Sequence, residues 1–292
     1  MSASVPEEGD GPGAVAARLT GRAVVTRRRL TGAVTEVALD GGSVVVKDAG
    51  GAAEARAEAA GMRWLGDAGS VRVPPVHGRE GRWLVTGFVP EGRPSAEAAV
   101  RFGRELAGMH AAGAAAFGAP PPGGCAQAFI GRAPMRNAQG SNWADWYGTH
   151  RVLPYVRQAV DGGVVRAAEA AVFEQVCERM DELAGPAEEP ARLHGDLWNG
   201  NVLWGADGQV WLIDPAAHGG HRETDLAMLQ LFGCPFLAEV LAGYQDAAPL
   251  APGRQQRVGL HQLFPLLVHT VLFGRGYADQ ALVTARRLLA AH

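Results

Sequence analysis

The chain has 292 residues, of which 47% are hydrophobic and 20% are charged, and its formal net charge is −3. This composition is typical of a globular protein and excludes the disordered and fibrous classes. There is no basic excess that would indicate nucleic-acid binding, and no apolar run is long enough to cross a membrane. We therefore expect a protein that binds neither nucleic acid nor a membrane.

Two further features concern the compartment in which the protein works. The three cysteines, Cys125, Cys177 and Cys234, lie far apart and fit neither a disulfide framework nor a zinc site. Residues 1–13 carry acidic side chains and no apolar stretch, so they are not expected to form a signal peptide. We expect these residues to be a short disordered lead on a reduced, cytoplasmic protein.

The first part of the chain predicts a small antiparallel sheet. The pattern indicates a short helix and three strands, over 14–19, 22–30, 33–39 and 44–47. Asp40-Gly41-Gly42 is a hairpin turn signal, and Lys47 ends the third strand. Of the 27 basic residues, Lys47 is the only lysine. A lone lysine in an arginine-rich chain indicates a position where a compact charge must reach a phosphate.

The chain after Lys47 predicts one helix and the end of this lobe. Residues 52–66 are rich in helix formers, and Glu54 and Glu58 lie on one face, so either could pair with Lys47. Two more strands are expected, over 76–79 and 82–86. Because Gly and Pro then interrupt the pattern, we assign 14–87 to an N-terminal lobe.

Residues 88–292 predict a larger, mostly helical lobe. Ser95 can cap a helix that runs through His110. The stretch 111–140, rich in Ala, Gly and Pro, predicts an irregular, mobile loop, and Gly219-Gly220 marks a turn. Further helices are expected from residue 141, over 164–184, from Thr224 or Asp225, and over 235–245, 254–273 and 275–290.

The clearest chemical signal lies in the catalytic-loop segment, 193–215. Asp196 is followed by Asn201 and, after two short strands joined by a turn, by Asp214. The predicted hairpin carries these three side chains at one end. Two carboxylates and an amide oxygen are ligands that a Mg²⁺–phosphate site uses, and their order is that of protein kinases. The sequence therefore predicts a phosphoryl transferase that uses ATP.

Three stretches resemble the fructosamine kinase (ketosamine-3-kinase) family. They are His194-Gly195-Asp196-Leu197-Trp198-Asn199-Gly200-Asn201-Val202-Leu203, Leu212-Ile213-Asp214-Pro215-Ala216 and Gly220-His221-Arg222-Glu223-Thr224-Asp225-Leu226-Ala227-Met228. The broader pattern is shared with aminoglycoside phosphotransferases and choline kinases. The resemblance implies an α+β, two-lobed, protein-kinase-like fold, with a small antiparallel sheet and one helix in the first lobe and mostly helices in the second.

The resemblance also implies an activity, the ATP-dependent phosphorylation of the carbon-3 hydroxyl of a ketosamine, which repairs glycated amines. Asp196 would be the catalytic base, and Asn201 and Asp214 would hold Mg²⁺. Lys47 would contact the nucleotide phosphates and would pair with Glu58 rather than Glu54.

The remaining residues singled out fall into three groups. In a kinase, the segment that contains Gly87, Phe88 and Val89 would bind adenine through its backbone. His194 and Asp225 are expected to be structural: the histidine bonds the backbone near Asp214, and Asp225 braces the catalytic loop. For the others, two interpretations stay open. Trp198 either stacks on a sugar or packs in the core, and His221, Arg222 and Glu223 either contact substrate or close a salt-bridge network.

The nature of the acceptor is also left open by the sequence. Residues 123–129 differ from the Trp-Asp-Asn-x-Ile-Gly motif that the family resemblance leads us to expect before Ile130. The acceptor could therefore be a small ketosamine, a glycated protein, or the substrate of an aminoglycoside or choline-type phosphotransferase. A nucleotide-binding pseudokinase is a second alternative, which the presence of Lys47, Asp196 and Asp214 disfavours. The oligomeric state is not predicted.

Overall fold

The computed structural model describes residues 11–291, so residues 1–10 of the predicted lead lie outside the described residues. The first helix, α1 (Pro12–Thr20), has proline in its first turn, where the missing N–H breaks no helical hydrogen bond. Residues 12 and 13, which we expected in the lead, are therefore helical.

Five antiparallel strands follow, in the spatial order β1-β2-β3-β5-β4. They are β1 (Val24–Arg29), β2 (Val34–Leu39), β3 (Gly42–Asp48), β4 (Val76–Glu80) and β5 (Trp83–Gly87). Gly41 turns the chain between β2 and β3 with φ +84°, a conformation that glycine adopts without steric cost. These are the strands and the turn that the sequence predicts.

The central strand β3 separates a covered face from a face that lines a cleft. Val44 and Val46 are buried against α1, whereas Val45 and Lys47 alternate to the other side. The helix α2 (Ala52–Gly66) packs Ala59 and Met62 against Leu84 of β5, which pairs with Lys47 across the sheet. This packing places α2 beside Lys47.

The second lobe consists mainly of helices. They are α3 (Ala96–Ala111), α4 (Trp143–Tyr147), α5 (Leu153–Asp161), α6 (Ala167–Glu178), α7 (Met180–Leu183), α8 (Glu223–Phe232), α9 (Leu237–Ala247), α10 (Arg254–Phe273) and α11 (Arg275–Ala290). Ser95 caps α3 by accepting a hydrogen bond from Ala98 N at 3.2 Å, as expected. The helix predicted over 164–184 is divided into α6 and α7 at Arg179.

Three pairs of short strands complete the lobe. They are β6 (Gln127–Ile130) with β7 (Ala133–Arg136), β8 (Ala191–Leu193) with β11 (His218–Gly220), and β9 (Val202–Trp204) with β10 (Val210–Leu212). The β9–β10 pair is the hairpin that the motif predicts. The described residues contain no helix that is both long and apolar enough to span a bilayer.

Two expectations for this lobe are wrong. The stretch 111–140 is not wholly irregular, because it contains the β6–β7 hairpin, which turns at Gly131. Gly219 and Gly220 do not form a turn but lie in β11, where a side chain would collide with the Ala116 carbonyl or with Leu193. The two glycines are needed for close packing of the strand rather than for chain reversal.

Candidate active site

The catalytic-loop segment, 193–215, brings together Asp196 and Asn201, which lie between β8 and β9, and Asp214, which follows β10. Asn201 Nδ2 donates to the Asp196 carbonyl at 2.8 Å and to Asp196 Oδ2 at 3.1 Å. The Ile213 N–H donates to the Asn201 carbonyl at 3.1 Å, which ties the loop to the segment after β10. Because the Asn201 amide nitrogen is committed to Asp196, its side-chain oxygen is left for a cation.

Asp214 is held in a backbone conformation that is uncommon for residues other than glycine. Its φ is +53°, a left-handed value that costs an L-residue roughly 1 kcal/mol. In this position Asp214 Oδ2 lies 2.9 Å from Lys47 Nζ, and Glu58 Oε2 lies 2.8 Å from the same nitrogen. The single lysine is therefore fixed between two carboxylates from different parts of the chain.

Burial and charge shift the pKa values of these groups. Burial opposes ionisation of Lys47, but Glu58 and Asp214 hold its pKa above the usual value. Burial raises the pKa of Asp196 to about 7, although the hydrogen bond from Asn201 opposes the shift. A carboxylate with a pKa near neutrality suits a general base. Asp196, Asn201 and Asp214 line one cavity, and carboxylate and amide oxygens of this kind fit a divalent cation.

Two cavities meet at this charged cluster. The hinge cavity, of about 440 Å³, is lined by Gly87, Phe88 and Val89 as well as by Met62 and Leu84. The Val89 N–H has no acceptor among the described residues.

The hairpin cavity, of about 630 Å³, is lined by Asp196, Trp198 and residues around the β6–β7 hairpin. Lys47, Glu58 and Asp214 line both cavities. The arrangement can hold one ligand on each side of a shared, charged junction.

Both ring nitrogens of His194 contact the backbone of the catalytic-loop segment. Its ring is buried, its Nδ1 accepts the Asp196 N–H at 3.2 Å, and its Nε2 lies 2.9 Å from the Ile213 carbonyl. Since both ring nitrogens are used and burial lowers its pKa, the imidazole stays neutral and holds the backbone on both sides of the loop. Asp225 accepts the N–H groups of His194 and Gly195 at 2.8 and 2.9 Å.

His221, Arg222 and Glu223 do not line the hairpin cavity. Arg222 pairs with Glu188 at 2.7 Å, and Glu223 pairs with Arg257 at 2.6 Å in a buried network. The structure thus favours the salt-bridge interpretation over substrate contact. His221, Glu223 and His261 lie within reach of one metal ion, but Arg257 already donates to both Glu223 oxygens. This pairing accounts for the Glu223 charge without a metal.

Sequence reasoning missed several side chains of the hairpin cavity. They are Glu54, Cys125, Phe129, Arg132 and Asn137. Phe129 lies on β6, Arg132 at the hairpin tip, and Asn137 directly after β7. The sequence indicates Glu54 as a possible partner of Lys47, and residues 123–129 depart from the motif expected in the family. Trp198 lies at the mouth of the cavity with 41% of its surface exposed, so it is not a core residue.

The architecture is a two-lobed, kinase-like fold. A structure of an aminoglycoside phosphotransferase aligns with a TM-score of 0.61 at 14% identity and covers 96% of this chain and 98% of its own. A choline kinase of Streptococcus pneumoniae aligns with a TM-score of 0.60 at 14% identity, covering 92% and 94%. At this identity the likeness concerns the fold alone, and it confirms the predicted fold class.

Comparisons of sequence identify the family as well as the fold. The fructosamine kinase family model matches residues 40–291, and the chain belongs to that family. A probable ketoamine kinase of Synechocystis sp. is 36% identical over 231 residues, which cover 77% of this chain and 75% of the relative. A chloroplastic protein-ribulosamine 3-kinase of Oryza sativa is 31% identical over 257 residues, covering 83% and 71%.

A relative of known structure extends this agreement to three dimensions. The crystal structure of a proposed fructosamine-3-kinase of Thermobifida fusca aligns with a TM-score of 0.87 at 45% identity. It covers 96% of this chain and all of the other. The predicted family is therefore confirmed by both sequence and structure.

Proposed function

We propose that the protein transfers the γ-phosphoryl group of ATP to the carbon-3 hydroxyl of a ketosamine. The observation that carries this proposal is the pair of cavities that share Lys47, Glu58 and Asp214. A phosphoryl transferase needs a donor and an acceptor on opposite sides of one charged junction. Membership of the fructosamine kinase family, and relatives named ketoamine and ribulosamine kinases, support the choice of acceptor.

ATP occupies the hinge cavity in this proposal. The adenine ring lies against Met62 and Leu84 and accepts a hydrogen bond from the Val89 N–H, and Gly87 and Phe88 shape the edge of the pocket. The phosphates then extend toward Lys47, whose ammonium is oriented by Glu58 at 2.8 Å. The nucleotide would lie between the N-terminal lobe, 14–87, and the helical lobe that begins at residue 88.

Asn201 and Asp214 would hold Mg²⁺ at the junction, because they offer an amide oxygen and a carboxylate to the same cavity. The ion, when bound, would offset the phosphate charge. Lys47 contributes a second, fixed positive charge from the protein itself.

The acceptor occupies the hairpin cavity. Asp196 orients the attacking hydroxyl and accepts its proton, which its raised pKa permits at neutral pH. The exposed ring of Trp198 supplies an apolar face against which a sugar can stack. The neutral His194 and the Asp225 carboxylate hold the loop that carries Asp196.

An ATP-consumption screen tests this assignment. The purified protein is assayed with a free fructosamine, a ribulosamine, a glycated protein, an aminoglycoside and choline, each with and without Mg²⁺. We expect Mg²⁺-dependent phosphorylation of at least one ketosamine and none of choline. Turnover of the aminoglycoside or of choline, with no ketosamine phosphorylated, would overturn the proposed acceptor.

A further inference from the structure

A buried asparagine at the wall of the hairpin cavity carries one polar atom without a partner. Asn137 follows β7 and lines the cavity, and only 4% of the residue is exposed. Its backbone N–H donates to the Ala126 carbonyl at 2.7 Å, which closes the base of the β6–β7 hairpin. Its Oδ1 accepts from Arg151 Nη2 at 3.3 Å, whereas its buried Nδ2 has no hydrogen-bond partner among residues 11–291. Because a buried donor without an acceptor is unfavourable, this atom indicates a place for a ligand oxygen.

Arg151 sets the orientation of the Asn137 amide. A guanidinium has five N–H donors and no acceptor, so only the amide oxygen can face it. Burial lowers the pKa of Arg151 to about 10, and the group therefore keeps its charge at neutral pH. The opposite orientation of the amide would place two donors against each other. Nδ2 is thus the amide atom that is left for a ligand.

Arg151 is a buried cation whose partners in the described part of the chain include no carboxylate. Its Nη1 donates to the Arg136 carbonyl at 2.9 Å. Its Cζ lies 4.5 Å from the centre of the Trp146 ring and 5.5 Å from that of the Phe264 ring. An aspartate at position 137 would pair with this cation more strongly than an asparagine does. The contact with Arg151 therefore does not explain why the residue is an asparagine, whereas a ligand on Nδ2 does.

We infer that Asn137 determines the specificity for the acceptor by donating from Nδ2 to the carbon-2 ketone oxygen of an open-chain ketosamine. The inference rests on the proposed function, in which the acceptor occupies this cavity and Asp196 serves the hydroxyl on the neighbouring carbon. A hydroxyl both donates and accepts, but a ketone oxygen only accepts. A wall atom that only donates therefore favours a ketosamine over an amino alcohol that has a hydroxyl at the same place.

Two acceptors and one substitution test this contact. The acceptors are a ribulosamine and the amino alditol that borohydride makes from it, in which a hydroxyl replaces the ketone. In Asn137→Asp, one carboxylate oxygen takes the place of Oδ1 beside Arg151, and the other replaces the donor with an acceptor. We expect kcat/KM for the ribulosamine to fall roughly 10- to 100-fold and that for the alditol to change little. The KM for ATP should not change, and the melting temperature should stay the same or rise because Arg151 gains a carboxylate.

Asn142→Asp is the matched control. It makes the same change from amide to carboxylate at a residue that caps α4, where Oδ1 accepts the Asp145 N–H at 3.2 Å. Asn142 does not line the hairpin cavity, so kcat/KM for both acceptors should stay at the wild-type value. If Asn137→Asp does not fold, Asn137→Ser removes both amide atoms and should lower kcat/KM for the ribulosamine in the same direction.

Calorimetric binding of the ribulosamine without ATP gives a readout that does not depend on turnover. Its Kd should rise roughly 10- to 100-fold in Asn137→Asp and stay unchanged in Asn142→Asp. An unchanged Kd in Asn137→Asp, or an unchanged preference for the ribulosamine over the alditol, would overturn the inference even if the wild type phosphorylates the ribulosamine. Binding to the wild type without phosphorylation of any ketosamine would overturn the proposed function, and the Kd comparison would still decide the role of Asn137. Absence of both binding and phosphorylation would overturn both.

Discussion

Replacing Lys47 with arginine should abolish most nucleotide-dependent turnover and leave the fold intact. Lys47 Nζ lies 2.8 Å from Glu58 Oε2 and 2.9 Å from Asp214 Oδ2, so the ammonium fills a narrow space between two carboxylates. A guanidinium keeps the charge but is planar and wider, so it cannot make the same approach to a phosphate.

The size of the effect follows from the contact that is lost. A hydrogen bond to a charged group contributes about 1.5–3 kcal/mol, which corresponds to roughly a 10- to 150-fold loss in kcat/KM for ATP. The Lys47→Met variant also loses the charge and leaves Glu58 and Asp214 without a cation. Because 40% of the Asp214 side chain is exposed, we expect the free energy of unfolding to fall by only about 1–2 kcal/mol.

Initial rates over a range of ATP concentrations, together with urea unfolding, measure both effects. Lys47→Arg should show a low kcat/KM for ATP with a nearly unchanged free energy of unfolding. Lys47→Met should lower both quantities. A wild-type kcat/KM for Lys47→Arg would refute the argument that this position requires the compact charge of lysine.

Two further predictions concern the acceptor and the response to acid. Trp198→Ala should raise the KM for the ketosamine roughly 2- to 10-fold and leave the KM for ATP unchanged, since an aromatic contact contributes about 0.5–1.5 kcal/mol. Steady-state kinetics measure both KM values. An unchanged KM for the ketosamine would exclude stacking on Trp198. Hydrogen bonds from Arg275 and Arg166 hold the pKa of Glu169 below its usual value. Its stabilising effect is therefore present above the unfolded pKa of about 4.3 and is lost as the pH falls below that value. Urea unfolding should show Glu169→Gln less stable than the wild type at neutral pH, with a gap that narrows in acid; a pH-independent gap would contradict this.

The sequence was sufficient to predict those parts of the site whose residues lie close together along the chain. The turn sequence Gly205-Ala206-Asp207-Gly208 predicts a hairpin after the loop. The convergence of Asp196, Asn201 and Asp214 could therefore be predicted. For Lys47, composition indicated the position, but its partner depended on packing. Glu54 and Glu58 lie on the same helical face, and the residues alone did not choose between them. Only Glu58 forms the ion pair, whereas Glu54 lines the hairpin cavity.

The errors arose where long-range packing decided the outcome. Gly219 and Gly220 look like a turn locally, but they are required by the approach of Ala116 and Leu193, which are distant in sequence. For Arg222 and Glu223 the sequence left two interpretations open, because their partners Glu188 and Arg257 lie more than 30 residues away in the chain. The β6–β7 hairpin has strands of only four residues, one of which contains Pro134, so periodicity could not reveal it.

The most direct test of the account is the turnover of Asp196→Asn. The variant keeps the size of the side chain, and its carbonyl oxygen can still accept from Asn201, so the fold and the affinity for ATP should be preserved. Loss of a general base should lower the single-turnover rate of ketosamine phosphorylation by about 10²- to 10⁴-fold. A rate equal to that of the wild type, with ATP and acceptor both bound, would contradict the assignment of Asp196 and the mechanism built on it.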